Sequence, residues 1–420
     1  MSSITQNKQG LKVLIAGAFL QLFLGIIYVW SVFVAPVSLH YGWEAADVKL
    51  TANFMLCFFV IGILIGGKLQ PKTGVRLNTL IGGLFVAAGM FATSFIPMGM
   101  SVHSDYPDGV IGEVWSSLPN TSIFLIYFFY GIIGGFGVGM AYNAIGTAAQ
   151  KWFPKNRGFA TGVVVCTFGA STVIFAPLCE MLIRRFDNNM SIVFIILAVI
   201  FTVATLAFFS FIKTPEQVAG ATPPPLKGRQ YTTLEMLKNP RYYLITLSLM
   251  FGTSVFFIIN PSLKDLATER GLADFAIYLV MFTGIFNAVG RLIVPLLSDK
   301  IGRESVGGII LAITALGAFG LCFARGPVLI ITIAAVAFGF GGFPGMYAVF
   351  TSENFGMKNF GANYGAVMVG FMLSSMLFPI AVNSIEDRIL KFAVLGVLAI
   401  IGAALVVILK ILNTKCRGEV

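Results

Sequence analysis

The sequence predicts an all-α membrane protein of twelve transmembrane helices in two six-helix bundles. Three observations carry that expectation. Only 11% of the residues are charged and 57% are hydrophobic, where a water-soluble chain carries about a quarter charged residues. Twelve apolar runs approach or exceed the roughly 20 residues that cross a bilayer. Three short patterns recur at corresponding places in the two halves. The 46 glycines suit helices that must approach closely in lipid.

Read in order, the spans are Val13 to Leu39, Leu50 to Gly67, Leu77 to Met100, Ser122 to Ala149, Gly158 to Cys179 and Ser191 to Ile212, then Tyr242 to Leu263, Phe275 to Ser298, Val306 to Phe323, Val328 to Phe350, Ala362 to Asn383 and Phe392 to Leu412. The first follows Lys8 and Lys12 as a signal peptide would, but its length and the spans behind it make it a retained helix. With the N-terminus inside, inner segments hold 19 of the 28 Lys and Arg, outer ones hold 8, and Arg291 remains. That bias places both termini in the cytoplasm and the chain, multi-pass, in a cell inner membrane.

Residues 213–241 carry TPPPLKGR near their centre. A basic, proline-rich stretch of this length reads as a cytoplasmic linker facing the anionic leaflet, dividing an N-terminal bundle (1–212) from a C-terminal one (242–420). The outer loop Ser101 to Thr121, with Asp105, Asp108 and Glu113, reads as solvated; the sequons at Asn120 and Asn189 fall in outer loops. The five Cys lie in spans, at a span end or in the tail without C-x-x-C spacing, as buried thiols do.

The internal echoes are specific. Lys155-Asn-Arg-Gly158-Phe-Ala-Thr-Gly162 opens span five and Lys358-Asn-Phe-Gly361-Ala-Asn-Tyr-Gly365 opens span eleven. Gly139-Met-Ala-Tyr142 in span four answers Gly345-Met-Tyr347 in span ten. Gly67-Lys-Leu-Gln-Pro71-Lys-Thr-Gly74-Val-Arg76 follows span two as Pro295-Leu-Leu-Ser-Asp299-Lys-Ile-Gly302-Arg303 follows span eight. Repeats in one orientation place a substrate between the halves, near the midplane.

Span eight holds the one formal charge well inside a span. A cation there costs roughly 2.5 to 3.5 kcal/mol on insertion scales, so it faces a partner, a wet cavity or a ligand. Thr283, Asn287 and Arg291 recur at helical spacing and share a face. A carboxylate on a neighbouring helix is one reading, yet no Asp or Glu lies mid-span elsewhere. A guanidinium is a planar fork matched to a carboxylate, and the other reading is a site for a small organic anion.

Six-plus-six topology, the basic linker and the G-x-x-x-D-x-x-G-x-R-like loops resemble the major facilitator superfamily over essentially the whole chain. Pro71 stands where that family usually has Asp, weakening the charge latch of the first loop, while Asp299 keeps it in the second. Gly25-Ile-Ile-Tyr28-Val-Trp30, Lys151-Trp-Phe-Pro-Lys-Asn-Arg157-Gly158, Arg291 followed by Ser298-Asp-Lys-Ile-Gly-Arg303, and Asn363-Tyr364-Gly365 look like the oxalate/formate antiporter family, a relative of the monocarboxylate transporters. The resemblance implies that Arg291 binds substrate, with Tyr28, Tyr142, Phe168 and Phe340 as aromatic neighbours. It also implies a departure: Phe371 stands where the oxalate carrier has a second cation. One arginine matches one carboxylate, and an unpaired second carboxylate is expensive to desolvate. Lactate, pyruvate or formate is therefore expected ahead of oxalate, with oxalate:formate antiport as the alternative. Related proton-coupled carriers have Asp where this chain has Asn287, which takes up no proton; Glu180 and Glu353 are the remaining proton candidates, and anion exchange stays equally open.

The expected site is thus Arg291 and Asn287 with Tyr28, Tyr142, Phe168, Phe340 and Phe371, serving secondary active transport of a small carboxylate, with a proton as the optional coupling ion. Neither glycine run gives G-x-G-x-x-G and no G-x-x-x-x-G-K-[ST] occurs, so close helix packing explains the glycines and no cofactor is expected. His40 and His103 lie outside the predicted membrane core, and no metal site is expected. No nucleophile, base or metal constellation calls for an enzyme; a non-transporting carboxylate sensor is a further alternative. The expected partners are the carboxylate and membrane lipid, with no nucleic acid and a monomeric chain.

Overall fold

A computed structural model describes residues 3–96, 122–218, 228–260 and 263–418. The acidic outer loop, Asn120, His103 and the proline-rich centre of the linker lie outside the described residues. Every regular element among the described residues is helical.

Helix α1 (Ser3–Leu24) runs through a 3₁₀ turn (Gly25–Val29) into α2 (Trp30–Tyr41). The tightened turn carries Tyr28. Helix α3 (Ala45–Thr93) holds spans two and three together. Its 49 residues would make a rod of roughly 70 Å, more than twice the hydrocarbon core of about 30 Å. The rod breaks at Gly74, at φ 77° and ψ 163°, a conformation that glycine adopts without the Cβ penalty. The 11 helices that are long and apolar enough to cross a membrane among the described residues therefore make the twelve crossings that the sequence predicts.

The fourth crossing starts at Ile123–Ile126, passes a π-helical stretch (Tyr127–Gly134) and continues as α4 (Gly135–Trp152). Then come α5 (Arg157–Arg185), α6 (Met190–Phe208), α7 (Pro240–Ile259), α8 (Ala276–Ile301), α9 (Arg303–Phe323), α10 (Pro327–Phe355), α11 (Phe360–Asn383) and α12 (Arg388–Gly418). Within the first half α3 packs on α4 and α6, and α1 on α5; within the second α8 packs on α10, and α12 on α9 and α7. The halves meet chiefly along α5 against α8 and α3 against α11.

Glycine makes these approaches close. A Cβ at Gly139 would overlap the Phe59 carbonyl, and one at Gly341 the Asn287 carbonyl, so these glycines let neighbouring helices close on one another. The apolar side chains left exposed on the outer faces, such as Val199, Val203, Leu316, Ile331 and Ile400, are what a lipid-facing surface requires.

The end of the molecule carrying Lys68, Lys155, Lys300 and Lys358 is bolted shut. Asp299 of α8 accepts from the backbone N–H of Gly158 and Phe159 at 3.1 and 2.9 Å, capping α5 across the seam. Arg303 pairs with Asp299 at 2.5 Å and Glu353 at 3.0 Å and donates to Ser298 at 2.6 Å. Asn143 donates to the carbonyls of Ile63 and Gly361, at 2.8 and 2.9 Å, tying α4 to α3 and α11. The linker docks at both ends: the Trp152 indole donates to the Lys213 carbonyl at 2.7 Å, and the Asn359 and Asn363 amides donate to the Tyr231 carbonyl at 2.9 and 3.1 Å. Thr232 and Glu235 form a capping box there, and the Thr232 N–H holds the Glu235 carboxyl below its usual range.

Candidate substrate site

Arg291 sits in the interior of α8 at 1% exposure. Its Nε donates to Asn287 Oδ1 at 2.7 Å, one turn back on the same helix, and its Nη2 donates to the Tyr28 hydroxyl of the opposite half at 2.9 Å. The guanidinium carbon lies 5.2 Å from the Tyr28 ring centre and 5.7 Å from that of Phe168. These are neutral partners. Arg291 and Arg303 are the buried charged side chains among the described residues; Arg303 has two carboxylates, and no ion pair among the described residues reaches Arg291. Of five guanidinium N–H donors, two are engaged by those bonds among the described residues, which leaves three, enough for a two-donor fork to a carboxylate.

The 3₁₀ turn of the first crossing explains how Tyr28 gets there. Gly25 lies so close to the Phe168 carbonyl and Ser171 that any Cβ would overlap, and this brings the turn against α5. Tyr28 then packs edge-on to Phe168 at 5.5 Å, Phe168 on Tyr142 at 5.0 Å, and Tyr142 on Phe59 at 5.2 Å. The predicted residues Arg291, Asn287, Tyr28, Phe168 and Tyr142 thus form one contiguous group across the seam. Tyr28 reaches it by accepting from the arginine, and its own hydroxyl hydrogen remains to donate.

Phe340 and Phe371, 1% and 2% exposed, form a second aromatic group. Their rings are 5.8 Å apart, Phe256 stacks on Phe340 at 3.9 Å, and Phe257 meets both edge-on. Among the described residues no hydrogen bond, ion pair or cation–ring contact joins this group to Arg291. It is tied to the site through the backbone: Gly341, beside Phe340, rests on the Asn287 carbonyl. Thr283 shares the buried face of α8, but its hydroxyl donates to the Leu279 carbonyl at 2.8 Å and is spent within its helix.

Sequence reasoning missed Gly169, Tyr364 and Phe59. A Cβ at Gly169 would stand 2.7 Å from Arg291 Cδ and 2.8 Å from Nε, so this glycine makes room for the arginine stem; a lone Gly inside a helix gave no signal. Tyr364 donates to the Pro344 carbonyl at 3.0 Å and lines the same small cavity as Tyr142. Asn363-Tyr364-Gly365 turns out to divide its work: Asn363 pins the linker, Tyr364 enters the site, and Gly365 lies against Leu64. Glu180 pairs with Arg184 on an exposed face, and Glu353 with Arg303 at the basic end; neither stands by Arg291. Among the described residues Cys57, Cys166, Cys179 and Cys322 are free thiols.

The chain is 27% identical over 372 residues to the Escherichia coli protein named uncharacterized MFS-type transporter YhjX, covering 86% of this chain and 85% of that one. It is 26% identical over 354 residues to the oxalate:formate antiporter of Oxalobacter formigenes, covering 83% and 76%. Bos taurus monocarboxylate transporter 13 is 23% identical over 295 residues, 69% of this chain and 62% of that one. Among solved structures, the proton:xylose symporter XylE superposes with a TM-score of 0.68 at 15% identity, covering 94% of this chain and 95% of that one. The transporter FucP in the outward conformation gives 0.65 at 15% identity, covering 94% and 97%. The model of the Major Facilitator Superfamily matches residues 13–379, and with its helical fold the chain belongs to that family of membrane transporters.

Proposed function

We propose that the protein carries a small monocarboxylate such as lactate, pyruvate or formate across a cell inner membrane by alternating access, with Arg291 as the group that binds the carboxylate. The observation that supports it most is a guanidinium buried to 1% and, among the described residues, held by an amide oxygen, a phenol and an aromatic ring with no carboxylate. A buried cation without a carboxylate is costly unless something negative joins it. An anion meeting the free edge of the fork supplies that charge with two parallel hydrogen bonds. Asn287 and Tyr28 hold the fork, Tyr28 and Tyr142 offer hydroxyls, and Phe168, with Phe340 and Phe371 behind, supplies the apolar wall that a short hydrocarbon tail prefers.

In this reading residues 1–212 and 242–420 rock as two units about the substrate, joined by the 213–241 linker, with the basic end and both termini cytoplasmic. Anion exchange and proton symport both satisfy charge balance. Exchange is favoured here because the described residues place no carboxylate beside Arg291 to carry a proton, and an unloaded return would move an uncompensated cation. The relative named oxalate:formate antiporter supports exchange as a mode and keeps oxalate:formate antiport as the second reading. Phe371, locked among aromatic rings, supplies no second cation for oxalate.

The test is uptake into proteoliposomes of labelled lactate, pyruvate, formate and oxalate, with and without a pH gradient and with each anion preloaded. The expected result is monocarboxylate exchange that Arg291→Ala abolishes while the purified protein keeps its melting temperature. Full transport by Arg291→Ala would remove the proposal.

A further inference from the structure

Toward the basic end from Arg291 lies a small, partly open cavity of about 10 Å³, lined among others by Gln21, Tyr142, Asn143, Gln150, Thr161 and Tyr364. That is room for about one water. The residues around it hold more unpartnered polar atoms than one water can satisfy, while most of the surface they present to it is apolar. Gln150 is 1% exposed and neither its side-chain oxygen nor its nitrogen has a partner among the described residues; the same holds for Gln21 Oε1, Asn143 Oδ1 and the Thr161 hydroxyl, on residues 0 to 2% exposed. A buried water makes about three hydrogen bonds, and each orphaned polar group costs about 1 to 3 kcal/mol. Five such atoms on the residues around one water-sized space would be offered to a larger polar guest once the surrounding helices part.

The position of these residues is as telling as their chemistry. Gln150 stands about two helical turns from Tyr142, Thr161 from Phe168, Ala348 from Phe340 and Tyr364 from Phe371, each on its own helix and each displaced toward the basic end, and Gln21 stands seven residues before Tyr28 across the start of the 3₁₀ turn. Two turns keep a residue on the same face and move it roughly 11 Å along the axis. The five segments thus repeat one register, and the chamber adjoins the Arg291 group on its basic side, sharing Tyr142 and Tyr364 with it. Its floor is the seam where Asn143 ties Ile63 to Gly361.

We propose that this amide-lined chamber is a second, charge-neutral station on the substrate path, which holds the carboxylate by Gln150, Thr161 and the released amide of Asn143 after it leaves Arg291 and as the basic end opens. The inference rests on Arg291 binding a carboxylate. A second cation would trap the anion in a low-dielectric site, whereas neutral amides and hydroxyls offset part of its desolvation and let it go. Gln21 Oε1 and Asn143 Oδ1, as acceptors, hold the water or hydroxyl that travels with it.

The test compares Gln150→Leu and Thr161→Val with wild type in two readouts, using the wild-type protein's best exchanged anion among lactate, pyruvate and formate. Binding of that anion to purified protein, by isothermal titration, is expected to stay within about twofold, while proteoliposome exchange falls about tenfold, the loss that one or two hydrogen bonds represent. Both variants keep close to the original shape, and Thr161→Val covers the case in which Gln150→Leu fails to fold. Wild-type exchange with a raised melting temperature would overturn the proposal, reducing the chamber to a hydrated packing defect. Equal loss of binding and exchange would overturn it too, by merging the chamber with the primary site. Arg291→Ala separates failure of the underlying reading: if that variant binds and exchanges like wild type, Arg291 is not the binding group, whatever the chamber variants do.

Discussion

Gly169→Ala isolates the placing of the arginine from its presence. The added Cβ would lie 2.7 Å from Arg291 Cδ and 2.8 Å from Nε, where carbon contacts settle near 3.5 to 4.0 Å, so the stem must retreat by about 1 Å. The Nε to Asn287 Oδ1 bond, now 2.7 Å, would then lengthen past the useful range of about 3.2 Å. A hydrogen bond to a charged group contributes about 1.5 to 3 kcal/mol, and losing one, with the fork turned, predicts a KM for carboxylate exchange roughly 10- to 100-fold higher. Helix propensity pulls the other way: alanine in place of glycine in a helix interior stabilises by about 1 kcal/mol. The expected variant is thus as stable as wild type or more so, and poor at transport. Proteoliposome exchange kinetics beside a thermal melt of the purified protein read both. Wild-type KM and rate in a well-folded Gly169→Ala would refute the claim that the guanidinium acts from the place it occupies here.

Tyr28→Phe keeps the ring against Phe168 and under the cation but removes the hydroxyl at 2.9 Å from Nη2; KM is expected to rise roughly tenfold, with an unchanged melt, in the same exchange assay. Phe371→Lys adds the second cation that the sequence lacks, at the cost of a stacked ring; the ratio of oxalate to lactate exchange is expected to rise, and an unchanged ratio would place residue 371 off the substrate path. Asp299→Asn weakens the cap on Gly158 and Phe159 and the pair with Arg303. Charge at a helix N-terminus contributes about 0.3 to 2 kcal/mol, so hydrogen exchange at residues 158–162 is expected to quicken as the basic end opens more often, while unchanged protection would show that the latch lies elsewhere.

What the sequence determined was whatever depends on the chemistry of a short stretch. Span lengths, the sidedness of Lys and Arg, and the echo of the glycine-bearing loops follow from the cost of exposing backbone and charge to lipid, a cost each segment meets by itself. Arg291 was conspicuous for the same reason, and Asn287 beside it follows from helical spacing. Tertiary structure decided the rest, because it concerns pairs of residues far apart in the chain. That Tyr28 meets Arg291 depends on a tightened turn and a bare Gly25 lying on α5. That Phe371 faces Phe257 and Phe340, that Gly169 clears space for an arginine more than a hundred residues away, and that Gln21, Gln150 and Thr161 converge with unsatisfied amides and hydroxyls depends on how five helices settle in register. In an interior packed at crystal density, which side chain faces which cavity is fixed by the whole assembly of neighbours, and no single stretch of sequence contains that information.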